Sequence, residues 1–253
     1  MNWLIVDAGN SRLKWARWDG FRLTQAGGIE YRQHQLPQLL ARCWGELSPP
    51  QRIIVASVAG QQFDTVLADW CQNFWTVTTE FLTSEGRSHG VTNGYREAAR
   101  LGVDRWAAIV AACHLHPERD LCIADCGTAT TLDSVDCHGN HQGGFILPGL
   151  TLMQECLQHT AAAVPLRPPV AEPLRPGHDT RSAVAGGALL ATTAALEQWV
   201  NTLDAAEGSE VTCIITGGAA PLLLPHLRNR WLHRPTLVLE GARILAHNSL
   251  DSR

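Results

Sequence analysis

The chain has 253 residues, of which 45% are hydrophobic and 17% charged, with a formal net charge of −4. This composition predicts a globular protein and excludes a disordered one, and the charge provides no basic field for nucleic acid. No apolar stretch reaches the roughly 18 residues that span a bilayer. The start, MNWLIVDAGN, lacks the basic region of a signal peptide, and no two of the eight cysteines form a Cys-x-x-Cys pair. We therefore expect a cytoplasmic protein without nucleic-acid or membrane partners.

The chain opens with three predicted strands, and the same order recurs near its middle. The first set comprises an apolar run at 3–7, a strand at 12–18 and, after an Asp-Gly turn signal, a strand at 21–26. The second set comprises 121–125, 130–135 and, after a turn at 138–140, the segment GGFILPG. Both halves therefore predict strand–turn–strand–turn–strand.

The remaining segments fit an α/β chain. Helices are predicted at 35–47, 61–74, 95–116 with a break at Gly102, 150–164, 181–203 and from Pro221, and strands at 52–59 and 211–218. The Pro-rich stretch 164–178 predicts a loop without regular structure. His116-Pro117 ends a helix, so we expect an N-terminal lobe of residues 1–117 and a C-terminal lobe of residues 118–253.

A matching turn follows the first strand of each set. Residues 3–14 are WLIVDAGNSRLK and residues 121–132 are LCIADCGTATTL, so Asp7 aligns with Asp125 and Gly9 with Gly127. The two turns are separated by about half of the chain. This repeat predicts two similar lobes that face a shared cleft, with a nucleotide clamped between them.

The first turn has the residue types that phosphate binding requires. Gly9 permits close backbone approach to an anion, and Asn10 and Ser11 can donate to phosphate oxygens. Lys14 adds a positive charge, and Asp7 can hold Mg²⁺ directly or through water. The turn leads into a strand and not a helix, which excludes a Walker or Rossmann loop. An ordinary Gly-Asn hairpin turn remains the alternative.

Three further groups of residues are candidates. Asp125 lies at a strand end beside the second turn, where a carboxylate near a phosphate needs a cation, although it could instead cap the turn. Thr216-Gly217-Gly218 leaves open backbone that a base or ribose can approach. Asp104 beside Gly102 is a candidate general base and Arg105 a candidate carboxylate or phosphate ligand, with a surface ion pair as the alternative. By chemistry alone, Tyr95 is an ordinary half-buried aromatic residue, and either Asp179 or Thr180 is the N-cap of the helix predicted at 181–203.

Taken together, these motifs resemble the type III pantothenate kinase family, and they cover nearly the whole chain. They are Asp7-Ala8-Gly9-Asn10-Ser11-x-x-Lys14, Tyr95, Leu101-Gly102-Val103-Asp104-Arg105, Asp125-Cys126-Gly127-Thr128-Ala129, Gly143-Gly144-x-Ile146-x-Pro148-Gly149 and Thr216-Gly217-Gly218. The family belongs to the acetate and sugar kinase/Hsp70/actin superfamily. The resemblance thus implies two duplicated ribonuclease H-like lobes with a nucleotide cleft between them.

The resemblance also implies a reaction, ATP-dependent phosphorylation of pantothenate, with Mg²⁺ accompanying ATP. It implies a homodimer with sites at or near the subunit interface. By the same resemblance, Asp104 is the base and Asp125 binds K⁺ or NH₄⁺. The ATP residues are Asp7, Ala8, Gly9, Asn10, Ser11, Arg12, Leu13, Lys14 and Thr128, and the pantothenate residues are Tyr95, Gly102, Val103, Asp104, Arg105 and Thr180.

Two departures from the family pattern and two competing functions remain. The chain has Ala98 where the family often has Pro, and Ser11 where many members have Thr. A non-catalytic regulatory protein is one alternative. Five retained residues argue against it: Asp7, Lys14, Asp104, Arg105 and Asp125. Another kinase or phosphatase of the superfamily, acting on a sugar or polyphosphate, is the second. The segment 102–105 together with Tyr95 argues against that alternative.

Overall fold

The computed structural model describes residues 1–31, 35–160, 174–207, 210–228 and 230–251, which divide into two compact units. The first unit contains Met1–His114 and the chain from Thr236 onward, and the second contains Leu115–Pro235. The division at His114 lies close to the sequence-based boundary after residue 117. The C-terminal segment, however, belongs to the first unit, whereas the sequence placed it in the C-terminal lobe.

The described residues form twelve strands and seven α-helices. The strands are β1 (Trp3–Ala8), β2 (Arg12–Trp18), β3 (Leu23–Glu30), β4 (Arg52–Ser57), β5 (Thr79–Phe81), β6 (Arg87–Ser88), β7 (Val91–Thr92), β8 (Leu121–Cys126), β9 (Ala129–Val135), β10 (His141–Pro148), β11 (Thr212–Thr216) and β12 (Trp231–His233). The helices are α1 (Leu36–Trp44), α2 (Gln61–Trp75), α3 (Val103–Leu115), α4 (Leu150–Thr160), α5 (Thr180–Glu207), α6 (Ala220–Leu223) and α7 (Leu237–Asp251).

The two large sheets have the same topology. The first has the strand order β3-β2-β1-β4-β5 and the second β10-β9-β8-β11-β12. In each, the first three strands are antiparallel neighbours and the last two join in parallel. The two sheets therefore repeat one strand order, as the repeated sequence pattern predicts, and the predicted duplication of the lobes is confirmed.

Each sheet has an apolar core on one face. In the first unit, Leu4, Val6 and Ala8 of β1 pack with buried residues of α1 and α2, among them the fully buried Trp44. In the second unit, Cys122, Ala124 and Cys126 of β8 pack with residues of α5 and α6. The side chains that alternate with these along β1 and β8 include Asp7 and Asp125, which therefore lie on the opposite face of their sheets.

Helix α7 packs on β1, β4 and β2 and so joins the first unit. Gly241 also lets α7 approach α3 closely, because a Cβ atom there would overlap the Ala107 carbonyl of α3. Arg52 of β4 donates to the Ala246 carbonyl of α7 at 3.4 Å and forms a two-pronged ion pair with Glu80 at 2.7 and 2.6 Å. Sequence patterns do not show such contacts, which explains the different assignment of this segment.

Within the described ranges, no helix has both the length and the apolar character needed to cross a membrane. The helix predicted at 150–164 is observed as Leu150–Thr160, and residues 161–164 lie outside the described ranges. The Pro-rich loop predicted at 164–178 also lies largely outside them, since the description resumes at residue 174.

Candidate active site

The first turn connects two antiparallel strands whose register places Asp7 opposite Lys14. Lys14 Nζ lies 3.6 Å from Asp7 Oδ2, and Gly9 N donates to the Arg12 carbonyl at 3.1 Å, which closes the turn. Asn10 is exposed at its tip, as are the two residues that follow. The turn therefore presents polar groups to solvent above a buried carboxylate that is paired with a partly exposed lysine. Ala8 and Leu13 pair at its base and are fully buried.

The end of β4 lies beside this turn because β1 and β4 are parallel and in register, with Ala8 opposite Ser57. Val58, the next residue, donates its N–H to the Ala8 carbonyl at 2.9 Å. The position of a Cβ on Gly102 is 3.7 Å from Val58 Cγ1. The segment that carries Gly102 thus lies at the same sheet edge as the first turn, the carboxyl edge where ligands of α/β sheets bind.

Asp104 lies in the first turn of α3 and is partly exposed. Its Oδ1 accepts the Arg105 N–H at 2.7 Å, and a carboxylate at this position is stabilised by the helix dipole. A Cβ on Gly102 would lie 2.6 Å from the same oxygen, so a larger residue there would displace the Asp104 carboxylate. A carboxylate can accept a proton from a substrate hydroxyl, which makes Asp104 a candidate general base.

Arg105 and Tyr95 are joined by a hydrogen bond. Arg105 is 7% exposed, and its Nη1 donates to the Tyr95 hydroxyl at 2.7 Å. The Tyr95 N–H donates to Asn93 Oδ1 at 2.9 Å, and Asn93 Nδ2 donates to the Ala98 carbonyl at 3.2 Å. Ala98 begins a short 3₁₀ turn, Ala98–Arg100, so the residue that departs from the family pattern supports the Tyr95 loop through its backbone.

The second turn, in the second unit, has the same construction. Gly127 N donates to the Ala129 carbonyl at 2.9 Å, and Thr128 is exposed. Asp125 is partly buried and pairs in register with Thr216 of β11. Gly217 has φ +93°, and a Cβ there would lie 2.5 Å from Asp125 Oδ1. The strand end at Thr216-Gly217 therefore lies directly against the carboxylate.

Thr180 is the first residue of α5 and is exposed. The N-cap interaction of this helix is made by Asp179, whose Oδ1 accepts the Ser182 N–H at 2.9 Å. Of the two residues considered for the N-cap, Asp179 therefore fills the role.

Three residues at the first turn were missed by the sequence analysis. The Tyr31 hydroxyl donates to the Gly9 carbonyl at 2.5 Å. Burial, followed by the negative charges of Asp64 and Asp7, raises the pKa of Tyr31 to about 12. Ser57 Oγ in turn donates to Asp64 Oδ1. No signal in the sequence marks Tyr31: the pairing of Arg12 with Glu30, which places the residue after Glu30 beside the turn, is seen only in the structure.

The described residues contain no group of three or more His, Cys, Asp or Glu side chains arranged to hold a metal ion. Asp7 and Asp125 each offer a single carboxylate at a phosphate-type turn. This donor set fits Mg²⁺ that keeps its waters and phosphate ligands, and equally a weakly held monovalent cation.

Comparison with known proteins identifies the family. The family model described as type III pantothenate kinase matches residues 3–202. The type III pantothenate kinase of Nitrosococcus oceani is 35% identical over 254 residues, covering 99% of this chain and 96% of that protein. That of Alkalilimnicola ehrlichii is 37% identical over 248 residues, covering 98% and 99%.

Solved structures show the fold. A Baf family protein of Campylobacter jejuni superposes with a TM-score of 0.61 at 19% identity, covering 98% of this chain and 99% of that chain. MreB 5 of Spiroplasma citri superposes with a TM-score of 0.54 at 9% identity, covering 99% and 97%. These neighbours share the acetate and sugar kinase/Hsp70/actin fold, which confirms the predicted fold class. On its matched family model and its full-length relatives, the chain belongs to the type III pantothenate kinase family.

Proposed function

We propose that this protein transfers the γ-phosphate of ATP to the primary hydroxyl of pantothenate, with Asp104 as the general base. Family membership supports the reaction, which forms 4′-phosphopantothenate in the first step of coenzyme A biosynthesis. The observation that carries the base assignment is the Asp104 carboxylate, partly exposed at the start of α3 and in contact with Gly102. A fixed base beside the attacking hydroxyl is what phosphoryl transfer requires, besides positioning and charge neutralisation.

The proposed ATP-binding residues are residues 7–14 of the first turn and Thr128 of the second. Support comes from the exposed Asn10, Ser11 and Arg12, whose side chains and backbone can donate to phosphate oxygens. Ala8 and Leu13 are buried, so their role is to fix the backbone. Mg²⁺ bound with ATP supplies neutralisation of phosphate charge, and Asp7 is the carboxylate placed to hold it, directly or through water.

The pantothenate site is proposed around Tyr95, Gly102, Val103 and Arg105, with Thr180 as a further contact. The planar Arg105 guanidinium fits the carboxylate of pantothenate, because it can donate two parallel hydrogen bonds. Val103 is 6% exposed and supplies an apolar wall next to the base. Close approach to Asp104 is possible because Gly102 has no side chain.

Asp125 is the proposed ligand of K⁺ or NH₄⁺. Its carboxylate lies against Gly217 and beside Thr216, whose hydroxyl is buried and has no hydrogen-bond partner among the described residues. Oxygen donors of this kind suit hard cations. Asp125→Asn is expected to raise the K⁺ concentration needed for half-maximal activity; an unchanged K⁺ response would contradict the assignment.

A homodimer is proposed on the basis of apolar side chains exposed on the second unit. Phe145 and Ile146 are 49% and 65% exposed on β10, a strand at the sheet edge, and Leu152, Leu157 and Leu190 are exposed on α4 and α5. Apolar patches at a sheet edge are typical of association surfaces. Light scattering should show a dimer that Ile146→Asp dissociates, while Phe21→Asp, at an exposed residue of the first unit, leaves it intact. A monomeric wild type would contradict the proposal.

The test of the function is ADP release coupled to pantothenate in the presence of ATP and Mg²⁺, with and without K⁺ or NH₄⁺. Pantothenate-dependent release is expected, together with a phosphorylated product detected by mass spectrometry. A panel of sugars serves as the specificity control. Preferential phosphorylation of a sugar, or no release with any cation, would overturn the proposed substrate. The use of ATP also supports the proposed cytoplasmic location.

A further inference from the structure

We propose that Tyr31 is a positioning residue for ATP: by holding the Gly9 carbonyl, it sets the direction in which the Asn10 N–H faces the phosphates. The inference rests on the function proposed above and adds a residue that lies outside the motif of the first turn. It concerns one hydrogen bond whose removal can be tested with a single-atom change.

Two hydrogen bonds join Tyr31 to the turn, one on each side of Asn10. The Tyr31 hydroxyl donates to the Gly9 carbonyl at 2.5 Å, and the Tyr31 N–H donates to the Ser11 carbonyl at 3.3 Å. Strand β3 delivers Tyr31 to this place, because its last residue, Glu30, pairs with Arg12 at the start of β2. The carbonyl groups of Gly9 and Ser11, the two residues that flank Asn10, are therefore both directed towards Tyr31.

The geometry of the peptide group explains how this contact affects phosphate binding. The Gly9–Asn10 peptide is planar and trans, so its C=O and N–H point in opposite directions. Because Tyr31 holds the C=O, the Asn10 N–H points away from Tyr31. Gly9 has the conformational freedom to let this peptide rotate, and a rotated peptide would present its carbonyl oxygen to the phosphate and repel it. Tyr31 selects the orientation that attracts the anion.

The Tyr31 hydroxyl is suited to this role because it stays protonated and in place. Its raised pKa keeps it a donor throughout the physiological range. Its ring packs on Phe63 of α2, with ring centroids 4.9 Å apart. The neighbouring Asp64 accepts a hydrogen bond from Ser57. The carbonyl contact is thus held by a rigid ring and not by a flexible side chain.

Tyr31→Phe tests the proposal, because it removes the hydroxyl and keeps the ring on Phe63. We expect the Kd for MgATP, measured by calorimetry, to rise about three- to tenfold, as the loss of one hydrogen bond predicts. The KM for pantothenate should change by less than about twofold on the same scale. Tyr95→Phe is the matched variant, since the chain has only two tyrosines; it should raise the KM for pantothenate and leave the Kd for MgATP unchanged.

An unchanged Kd for MgATP in Tyr31→Phe would overturn the proposal, whether or not the melting temperature falls. An equal change in both constants would also overturn it, because that pattern indicates a general structural role. Failure of the wild type to phosphorylate pantothenate would overturn the proposed function instead, and the calorimetric comparison would still decide the role of Tyr31.

Discussion

The Arg105 guanidinium donates from Nη1 to the Tyr95 hydroxyl at 2.7 Å, and its Cζ lies 5.4 Å from the centre of the Tyr95 ring. Arg105 is held inside the first unit, where its side chain is nearly fully buried. Each of the two residues therefore fixes the other, and the guanidinium plane is oriented before any substrate arrives.

This pairing predicts that Arg105→Lys impairs pantothenate binding. A lysine has no planar fork, so it cannot contact Tyr95 and a carboxylate in the same way. We expect the KM for pantothenate to rise roughly 10- to 100-fold, with little change in the KM for MgATP. Steady-state kinetics against Arg100→Lys, a matched change at an exposed arginine paired with Glu97, provide the control. Equal effects of the two substitutions would rule out a specific role for Arg105.

Replacement of Asp104 by Asn should abolish turnover without unfolding the protein. The amide oxygen can still accept the Arg105 N–H, so the start of α3 is preserved, while the base is lost and kcat should fall by about 10²- to 10⁴-fold. Rapid-quench measurements and circular dichroism would check both parts. Asp69→Asn, on an exposed residue of α2, should leave kcat unchanged. A kcat within twofold of wild type would refute the assignment of Asp104 as the base.

Gly217→Ala should destabilise the second unit more than Gly143→Ala does. Both glycines have positive φ, +93° and +96°, so both substitutions carry a backbone cost of about 1–2 kcal/mol. A Cβ at Gly217 would also overlap the Cys126 carbonyl and approach Asp125 Oδ1, whereas a Cβ at Gly143 meets no atom within 4 Å. Overlap with backbone should add about 1–3 kcal/mol. Urea unfolding measures the difference, and equal losses would show that the overlap is relieved.

Acidification should destabilise the first unit through His89. Burial and then the charge of His114 lower its pKa below the ordinary value. The titratable groups that face it are His114, Glu85 and His247, and its ring contacts Ser88 Oγ and the backbone of Ile244. In the folded state the neutral ring is favoured, so its stabilising contribution is complete above the unfolded-state pKa of about 6.5 and is lost as the pH falls towards the lowered value.

Thermal unfolding between pH 8 and pH 5 would measure this dependence. In His89→Asn the unfolding temperature should fall less between pH 8 and pH 5, because asparagine does not titrate. Asparagine also tolerates the φ of +49° found at this turn. His233→Asn, at an exposed position on β12, is the comparison, and its unfolding temperature should depend on pH as in the wild type. An unchanged slope in His89→Asn would assign the acid sensitivity to other groups.

Much of the fold could be predicted from the sequence because its elements have strong local signals. The apolar runs of β1 and β8 and the amphipathic helix predicted at 61–74, observed as Gln61–Trp75, are examples. Strands β6, β7 and β12 were not predicted, since two or three residues are too few to show alternation. The helix predicted at 95–116 with a break at Gly102 is α-helical only after that glycine; before it, only Ala98–Arg100 form a 3₁₀ turn.

The residues of the candidate site also differ in whether the sequence alone could identify them. Residues 7–14 and 102–105 could be named in advance because each group is contiguous and has a recognisable chemical pattern. Tyr31 and Asp64 could not, because they reach the first turn from β3 and α2 through strand register and helix packing. Their side chains carry no motif, and only the tertiary structure brings them to Gly9 and Ser57.

The return of α7 to the first unit sets the order in which the protein can be completed during synthesis. The strands on which α7 packs leave the ribosome before the second unit does, and α7 leaves it afterwards. Until then, the side of β1 and β4 that α7 covers stays open, and Arg52 lacks its Ala246 partner. The second unit, by contrast, is one uninterrupted segment of chain and can close first. The N-terminal unit of this kinase is therefore the later of the two to be finished.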